Sequence, residues 1–468
     1  MLTMMVAVVM LPLVGLAIDG SVLYLIQARL SAAVDSAALA GARSLSVGLD
    51  LTSQTASATT TAQNYFSANF PTGYWNTTNL TLNTTVAQTA YKTRTVSMQA
   101  TVTVPLTFMQ LLGKSGSTVA AQGQTSRRDV VMILVLDRSS SMQYAGVCPT
   151  MIAAAQSFIG DFSNARDMLG LVTFMDGYNL SYAPTINFAS NSPSLNTVLG
   201  NLQCYGDTST AAGLNQAYVQ LQAINEPGAL NLIVFFTDGH PNGVSANFPV
   251  KTQTDTRYSS FNTGSLVSYP PSGCTSTTTL LGEVAEWSGE PAPSTGYTEG
   301  LFAITSPSDS TTSEQVAGGL NGCAMPASQA EMRQDIAYVP ATDSYGNATT
   351  GYQAFAGGDL YPSGNPYVGH IRVDTPTALV TASVNAADNQ ATAIRNDPNL
   401  TPTIYAIGLG GTSAEPIDAT FMERVSNDPR SPIYNPNQPV GQYYYSPNAQ
   451  QLYGVFQQVA SQILRISQ

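Results

Sequence analysis

The sequence predicts an α/β protein: a doubly wound, mostly parallel sheet with one long loop insertion, preceded by an apolar helix and a small α+β segment. Three observations carry this. Apolar runs of strand length alternate with stretches of helical spacing from Val130 to Leu464. The first of these runs, Val130-Val-Met-Ile-Leu-Val-Leu136, is continuous, as expected of a strand buried on both faces. The 468-residue chain also opens on an uncharged apolar stretch, Leu2 to Ile18.

Residues 2–26 are apolar except for Asp19 and a few small polar residues, about the length a helix needs to cross a bilayer. The competing reading is a cleaved signal peptide with Gly15-Leu16-Ala17 as its small-residue site. The missing basic n-region, and helical character that continues past Ala17, favour an anchor. Arg29 and Arg43 follow the span, where the positive-inside rule would place them in the cytoplasm. A basic cytoplasmic stretch upstream of Met1 would resolve that conflict. Asp19 is costly in hydrocarbon, so it is expected either to pair with another helix or a free amine, or to sit at the outer interface. The segment Ala28 to Arg43 is rich in strong helix formers and carries the helix to about Ser46. Its small side chains allow close approach of another helix. Residues 1–46 are thus read as an anchor with an extended helix.

Residues 54–70 fit a second helix. From Val96 to Val104 apolar and polar residues alternate strictly, the signature of a half-buried strand. Pro105 ends it, and Leu106 to Leu112 make an apolar turn. This small α+β segment, 47–127, shows no chemistry.

The remainder, 128–466, reads as one β/α domain. After the Val130 strand, Ile152, Ala155, Ile159 and Phe162 fall at helical spacing, and Leu169 to Phe174 is the next strand. Leu214, Ala217, Tyr218 and Leu221 mark a helix, and Leu232 to Phe236 a strand. The pattern then stops for the insertion, 239–375, rich in Pro, Gly, Ser, Thr and Tyr. It resumes with a helix near 376–396, the strand Thr403 to Leu409, and a last helix with Leu452, Val455, Phe456, Val459, Ile463 and Leu464 on one face.

Only 10% of residues are charged, the net charge is −12 and no basic stripe exists, which excludes nucleic acid as a partner. A 43% hydrophobic content argues against disorder. Abundant Ser, Thr, Asn, Gly and Tyr with scarce Lys suits an exported protein. The four cysteines, Cys148, Cys204, Cys274 and Cys323, include no C-x-x-C pair, so a zinc ribbon or thioredoxin-like site is not expected. An even count in an exported chain permits two disulfides, with Cys148–Cys204 and Cys274–Cys323 favoured over four buried thiols. His240 and His370 have no ligand partner at metal spacing and read as structural. No nucleophile–base pair or phosphate loop is visible, and no enzymatic activity is expected.

In an open parallel sheet, sites form beyond the carboxyl ends of the strands. Three polar clusters lie there: Asp137-Arg-Ser139-Ser-Ser141 after the first strand, Gly206-Asp-Thr208-Ser-Thr210 before the Leu214 helix, and Thr237-Asp238-Gly239 after the Leu232 strand. Each alone is an ordinary turn or helix cap. Together they offer an all-oxygen set of the kind a small hard divalent cation takes.

Two family resemblances follow. The Asp-x-Ser-x-Ser, Thr and Asp clusters resemble the metal-ion-dependent adhesion site of von Willebrand factor A domains, with Ser140 and Asp207 where Gly is commoner. The resemblance implies Mg²⁺, with Ca²⁺ or Mn²⁺ as alternatives, held by Asp137, Ser139, Ser141, Thr208 and Asp238, and an open position for a carboxylate of a partner protein. Asp207 is expected to be a solvated loop carboxylate; facing the metal, it would strengthen binding, favour Ca²⁺ or repel an incoming carboxylate. A Cys148–Cys204 disulfide would tie two of the metal loops together. The N-terminal segment, with Asp19, Tyr24, Arg29, Leu30, Ala33, Asp35, Ala37, Ala38, Leu39 and Ala40 in register, resembles TadE/TadG-like pilus-assembly proteins, and 47–127 then looks like their pilin-like stalk. This implies a single-pass protein of the bacterial inner membrane, its bulk periplasmic or on the cell surface, working with pilus-assembly components. The alternative is a surface adhesin or matrix-binding protein that makes contact through the Tyr/Ser/Thr-rich insertion.

Overall fold

A computed structural model describes residues 2–46, 51–90, 92–249, 279–287, 297–305, 336–353, 359–410 and 417–467. The chain divides into two compact units. One comprises residues 1–129, 162–167 and 462–468; the other comprises 130–161 and 168–461.

In the first unit, helix α1 (Leu2–Arg43) is followed by a short 3-10 turn, Ser44–Ser46, and by α2 (Leu51–Asn69). Strands β1 (Thr78–Ala90), β2 (Thr93–Pro105) and β3 (Gly116–Arg128) form an antiparallel sheet with β2 in the centre. The register pairs Val96 with Val86 on one side and Thr125 on the other. Ile26, Leu30, Ala33, Val34, Ala37 and Ala38 recur along α1 at helical spacing. They bury against Ala62, Phe66 and Phe70, and against Met98, Ala100, Val102 and Val104, the apolar face of β2. Strands β1 and β3 flank it; they are mostly Thr, Asn, Ser and Gln, with Leu80, Leu82, Val119 and Ala121 packed into the same core. Two ion pairs, Arg127–Asp167 (2.5 Å) and Arg166–Asp129 (2.8 Å), lie within this unit. Leu13–Arg43 of α1 is long and apolar enough to cross a membrane.

The second unit holds a six-stranded sheet. Its elements are β4 (Val130–Asp137), α3 (Ser140–Tyr144), α4 (Cys148–Ile159), β5 (Met168–Met175), β6 (Gly177–Thr185), α5 (Leu195–Gly200), α6 (Thr210–Ile224), β7 (Leu230–Thr237), β8 (Gly243–Pro249), β9 (Thr279–Trp287), β10 (Tyr297–Phe302), α7 (Pro376–Arg395), β11 (Thr403–Leu409), α8 (Ala419–Ser426), β12 (Gln442–Ser446) and α9 (Ala449–Ile466). The strand order is β12-β11-β7-β4-β5-β6, parallel throughout except for the antiparallel edge strand β6.

All eight residues of β4 are buried, as its unbroken apolar run requires. On one face Ile133, Val135, Ile233 and Phe235 meet Leu214, Ala217 and Leu221 of α6 and Leu379 and Ile394 of α7. On the other, Phe456 of α9 lies 5.5 Å from the ring of Phe158 and 5.9 Å from that of Phe236. The described part of the insertion contributes a second sheet, β10-β9-β8, antiparallel. His370 stacks on Tyr338, ring centroids 3.8 Å apart.

From β4 the chain winds outward to β5 and β6, then returns to β7 on the opposite side of β4. The reversal leaves a crevice at the carboxyl ends of β4 and β7, where an open α/β sheet places its sites.

Candidate metal centre

Asp137 is the last residue of β4 and Thr237 the last of β7. Because those strands are parallel neighbours, residues a hundred positions apart meet: the Thr237 hydroxyl donates to Asp137 Oδ2 at 2.5 Å. The other carboxylate oxygen, Oδ1, accepts the backbone N–H of Ser139 at 2.8 Å. That hydrogen bond folds the Asp-x-Ser turn back on itself, so Ser139 Oγ lies 2.9 Å from Ser141 Oγ. Ser141 Oγ in turn donates to Asp238 Oδ1 at 2.8 Å. Asp137, Ser139, Ser141 and Asp238 are thus joined in one hydrogen-bonded cluster. Asp137, Ser139 and Asp238 are buried and Ser141 is half-buried. Burial pushes the Asp137 carboxyl up to about 6, against the lowering effect of hydrogen bonds from Thr237 and Ser139.

The Thr208 loop is laced to the loops on either side through its backbone. Ser140 donates both its backbone N–H (2.8 Å) and its hydroxyl (2.6 Å) to the carbonyl of Gly206, and the Tyr205 N–H donates to the Arg138 carbonyl at 2.6 Å. On the far side Asn242 Oδ1 accepts the Thr208 N–H at 2.7 Å, and the Asn242 N–H donates to the Thr208 carbonyl at 3.1 Å. The second loop is therefore stitched to the first and the third. A Cys148–Cys204 disulfide, with Cα atoms 6.2 Å apart, adds a covalent tie. Cys274 and Cys323 lie outside the described residues.

Asp207 corrects the sequence expectation of a solvated carboxylate: it is only 4% exposed. Gly206, with φ +87°, turns the chain inward, and its missing Cβ lets the loop close on Asp176, whose Oδ1 accepts the Asp207 N–H at 2.7 Å. Four further residues support the cluster. Thr237 and Asn242 orient the cluster, and Ser140 laces two loops. Arg138, fully buried, donates to Thr173 Oγ1 at 3.3 Å and to the Gln203 carbonyl at 3.4 Å. None of these contacts has a local sequence signal.

Among the described residues no group of three or more His, Cys, Asp or Glu side chains could hold a metal ion. The joined cluster offers two carboxylates and two hydroxyls, oxygen-only chemistry that suits a hard divalent cation and suits soft metals poorly.

Residues 132–240 match the von Willebrand factor type A domain family, and residues 1–44 match the Flp pilus-assembly TadE/G-like family. The chain joins a TadE/G-like segment to a von Willebrand factor A domain. A curated relative, the calcium-activated chloride channel regulator 3A-1 of Mus musculus, is 32% identical over 124 residues, 26% of this chain. The match spans 14% of the mouse protein's length. The von Willebrand domain of the type V pilus tip protein Mfa5 of Porphyromonas gingivalis is 14% identical, with 73% of this chain and 97% of that one covered at a TM-score of 0.37. Proximal thread matrix protein 1 of the mussel byssus, solved with zinc in its MIDAS motif, is 10% identical, with 71% and 47% covered at a TM-score of 0.33.

Proposed function

We propose that this protein is a membrane-anchored, extracytoplasmic component of Tad/Flp-type pilus assembly that binds a partner protein through a metal-ion-dependent adhesion site. In this reading residues 1–46 anchor the chain in the bacterial inner membrane and 47–127 form a pilin-like stalk. Residues 128–466 are the von Willebrand factor A domain, with 239–375 as its insertion. Asp137, Ser139, Ser141, Thr208 and Asp238 hold Mg²⁺, with Ca²⁺ or Mn²⁺ as alternatives. When bound, the ion supplies an electrophilic position for a carboxylate oxygen of the partner.

The observation that carries the reading is the hydrogen-bonded run from Asp137 through Ser139 and Ser141 to Asp238, which gathers oxygens from two strand ends at the sheet's switch point. The chain's own residues do the positioning. Thr237 and Ser139 aim the Asp137 carboxylate, while Ser140 and Asn242 hold the Thr208 loop in place. The role is binding, without catalysis.

The test is Asp238→Ala in the full-length chain expressed in a strain lacking the native copy. Loss of surface pili with the protein still present in the membrane supports the assembly role. Normal pili with lost surface attachment favour the adhesin instead, and normal pili with normal attachment overturn the metal-dependent reading.

A further inference from the structure

Asp19 closes the uncharged stretch of α1, and its carboxylate is fully used. Oδ1 accepts the backbone N–H of Thr107 at 3.0 Å; Oδ2 accepts those of Phe108 at 2.9 Å and Met109 at 2.7 Å. These are orphan donors at the start of the 3-10 turn Met109–Leu112, so a charge that would be costly near hydrocarbon is matched by backbone groups that would be costly there too. Asp19 is only 3% exposed and is held by three backbone N–H groups of one loop. It latches a loop.

The latch fixes the loop's height on the helix. Four residues before Asp19, about 6 Å along the axis, Gly15 faces Phe108. A Cβ built at Gly15 would stand 2.6 Å from Phe108 Cβ and 2.7 Å from its Cγ, so this approach requires glycine. Phe108 therefore lies beside the uncharged part of α1, below the level of Asp19. Leu106 is buried, yet Phe108 remains 39% exposed. Around the same stretch of helix Leu13, Val14, Leu16 and Ile18 are 44% to 56% exposed. Phe108 thus adds an exposed apolar side chain beside a stretch of helix whose own apolar side chains are exposed.

We propose that the loop from Leu106 to Lys114 is a second membrane-contacting element, with Phe108 seated among lipid acyl chains alongside α1 and Asp19 holding it there. This rests on α1 being the membrane anchor. Such a wedge would give a single-pass protein two points of contact with the bilayer, fixing the orientation of the β-sheet unit above the lipid where one helix alone would let it swivel.

The experiment uses the full chain in phosphatidylethanolamine/phosphatidylglycerol vesicles. Its two tryptophans, Trp75 and Trp287, are replaced by Phe. A single reporter is then introduced as Leu13→Trp or as Phe108→Trp, and quenching by acyl-brominated lipid is read. The expected result is quenching of both reporters, with blue-shifted emission for Phe108→Trp that Asp19→Leu moves back toward the red. Quenching of Leu13→Trp alone, with Phe108→Trp open to aqueous acrylamide, overturns the wedge and leaves the anchor standing. A blue-shifted Phe108→Trp that brominated lipid does not quench would mean that protein covers the ring, which also overturns it. If neither reporter is quenched, the anchor reading itself fails and the wedge with it.

Discussion

Ser141 donates its hydroxyl hydrogen to Asp238 Oδ1 at 2.8 Å, linking two residues 97 positions apart. The contact exists because β4 and β7 run parallel and end level with each other, so the turn after one faces the turn after the other. The Ser141 hydroxyl is also a proposed ligand. Ser141→Ala should weaken Mg²⁺ binding by about 10- to 100-fold, with the circular dichroism spectrum unchanged. Isothermal calorimetry on the detergent-solubilised chain measures this. Unaltered affinity would remove Ser141 from the ligand set.

Asn242 offers a separate test, because it is not a proposed ligand. It accepts the Thr208 N–H and donates to the Glu286 carbonyl at 2.7 Å, holding the Thr208 loop in register. Asn242→Ala should also reduce Mg²⁺ affinity, by about 10-fold, whereas Asn242→Asp, which keeps the acceptor, should recover part of the loss. Equal affinity for all three proteins would show that Thr208 needs no such support.

The Cys148–Cys204 bridge closes a loop of 56 residues. Chain-entropy arguments give a disulfide of that span about 4 kcal/mol of stability. A Cys148→Ser/Cys204→Ser variant should therefore melt at a lower temperature. It should also bind Mg²⁺ more weakly than the oxidised protein, because Cys204 lies two residues before Gly206, whose carbonyl takes both Ser140 hydrogen bonds. Lower stability with unchanged affinity would assign the bridge to folding alone.

Glu283 predicts a pH dependence. It is fully buried in β9, accepts hydrogen bonds from Ser209 and Ser245, and burial with the nearby charge of Asp176 pushes it up to about 8. Between its ordinary value of 4.5 and about 8, the folded chain keeps a proton that the unfolded chain has released. Stability from this group therefore falls as pH rises through that window and levels off above it, by about 5 kcal/mol in all. Glu283→Gln keeps a neutral acceptor for both serines and should flatten the profile and raise the melting temperature near pH 8. Parallel melting profiles for the two proteins would contradict this.

Much of the architecture was legible because burial on both faces leaves a plain mark: β4, β5, β7 and β11 are continuous apolar runs. The edge strands left none. In β6, Tyr178, Asn179, Leu180 and Ser181 are half-buried, and β12 is only Gln-Tyr-Tyr-Tyr-Ser. Strands β1 and β3 are Thr-, Gln- and Ser-rich because one face of their sheet meets solvent. At the crevice the Asp-x-Ser-x-Ser, Thr and Asp clusters could be read directly, since each sits at a strand end or helix start. Thr237 on Asp137, Asp176 under Asp207 and Asp19 on the Thr107–Met109 turn could not. Each depends on the spatial neighbour of a residue 31 to 100 positions away, which only strand order and helix docking decide.

The most direct measurement is Mg²⁺ titration of the full-length protein and its Asp137→Ala variant by calorimetry, with circular dichroism on both. Saturable binding by the wild-type chain, none by Asp137→Ala, and the same spectrum for each are expected. An Asp137→Ala protein that titrates like the wild type would contradict this.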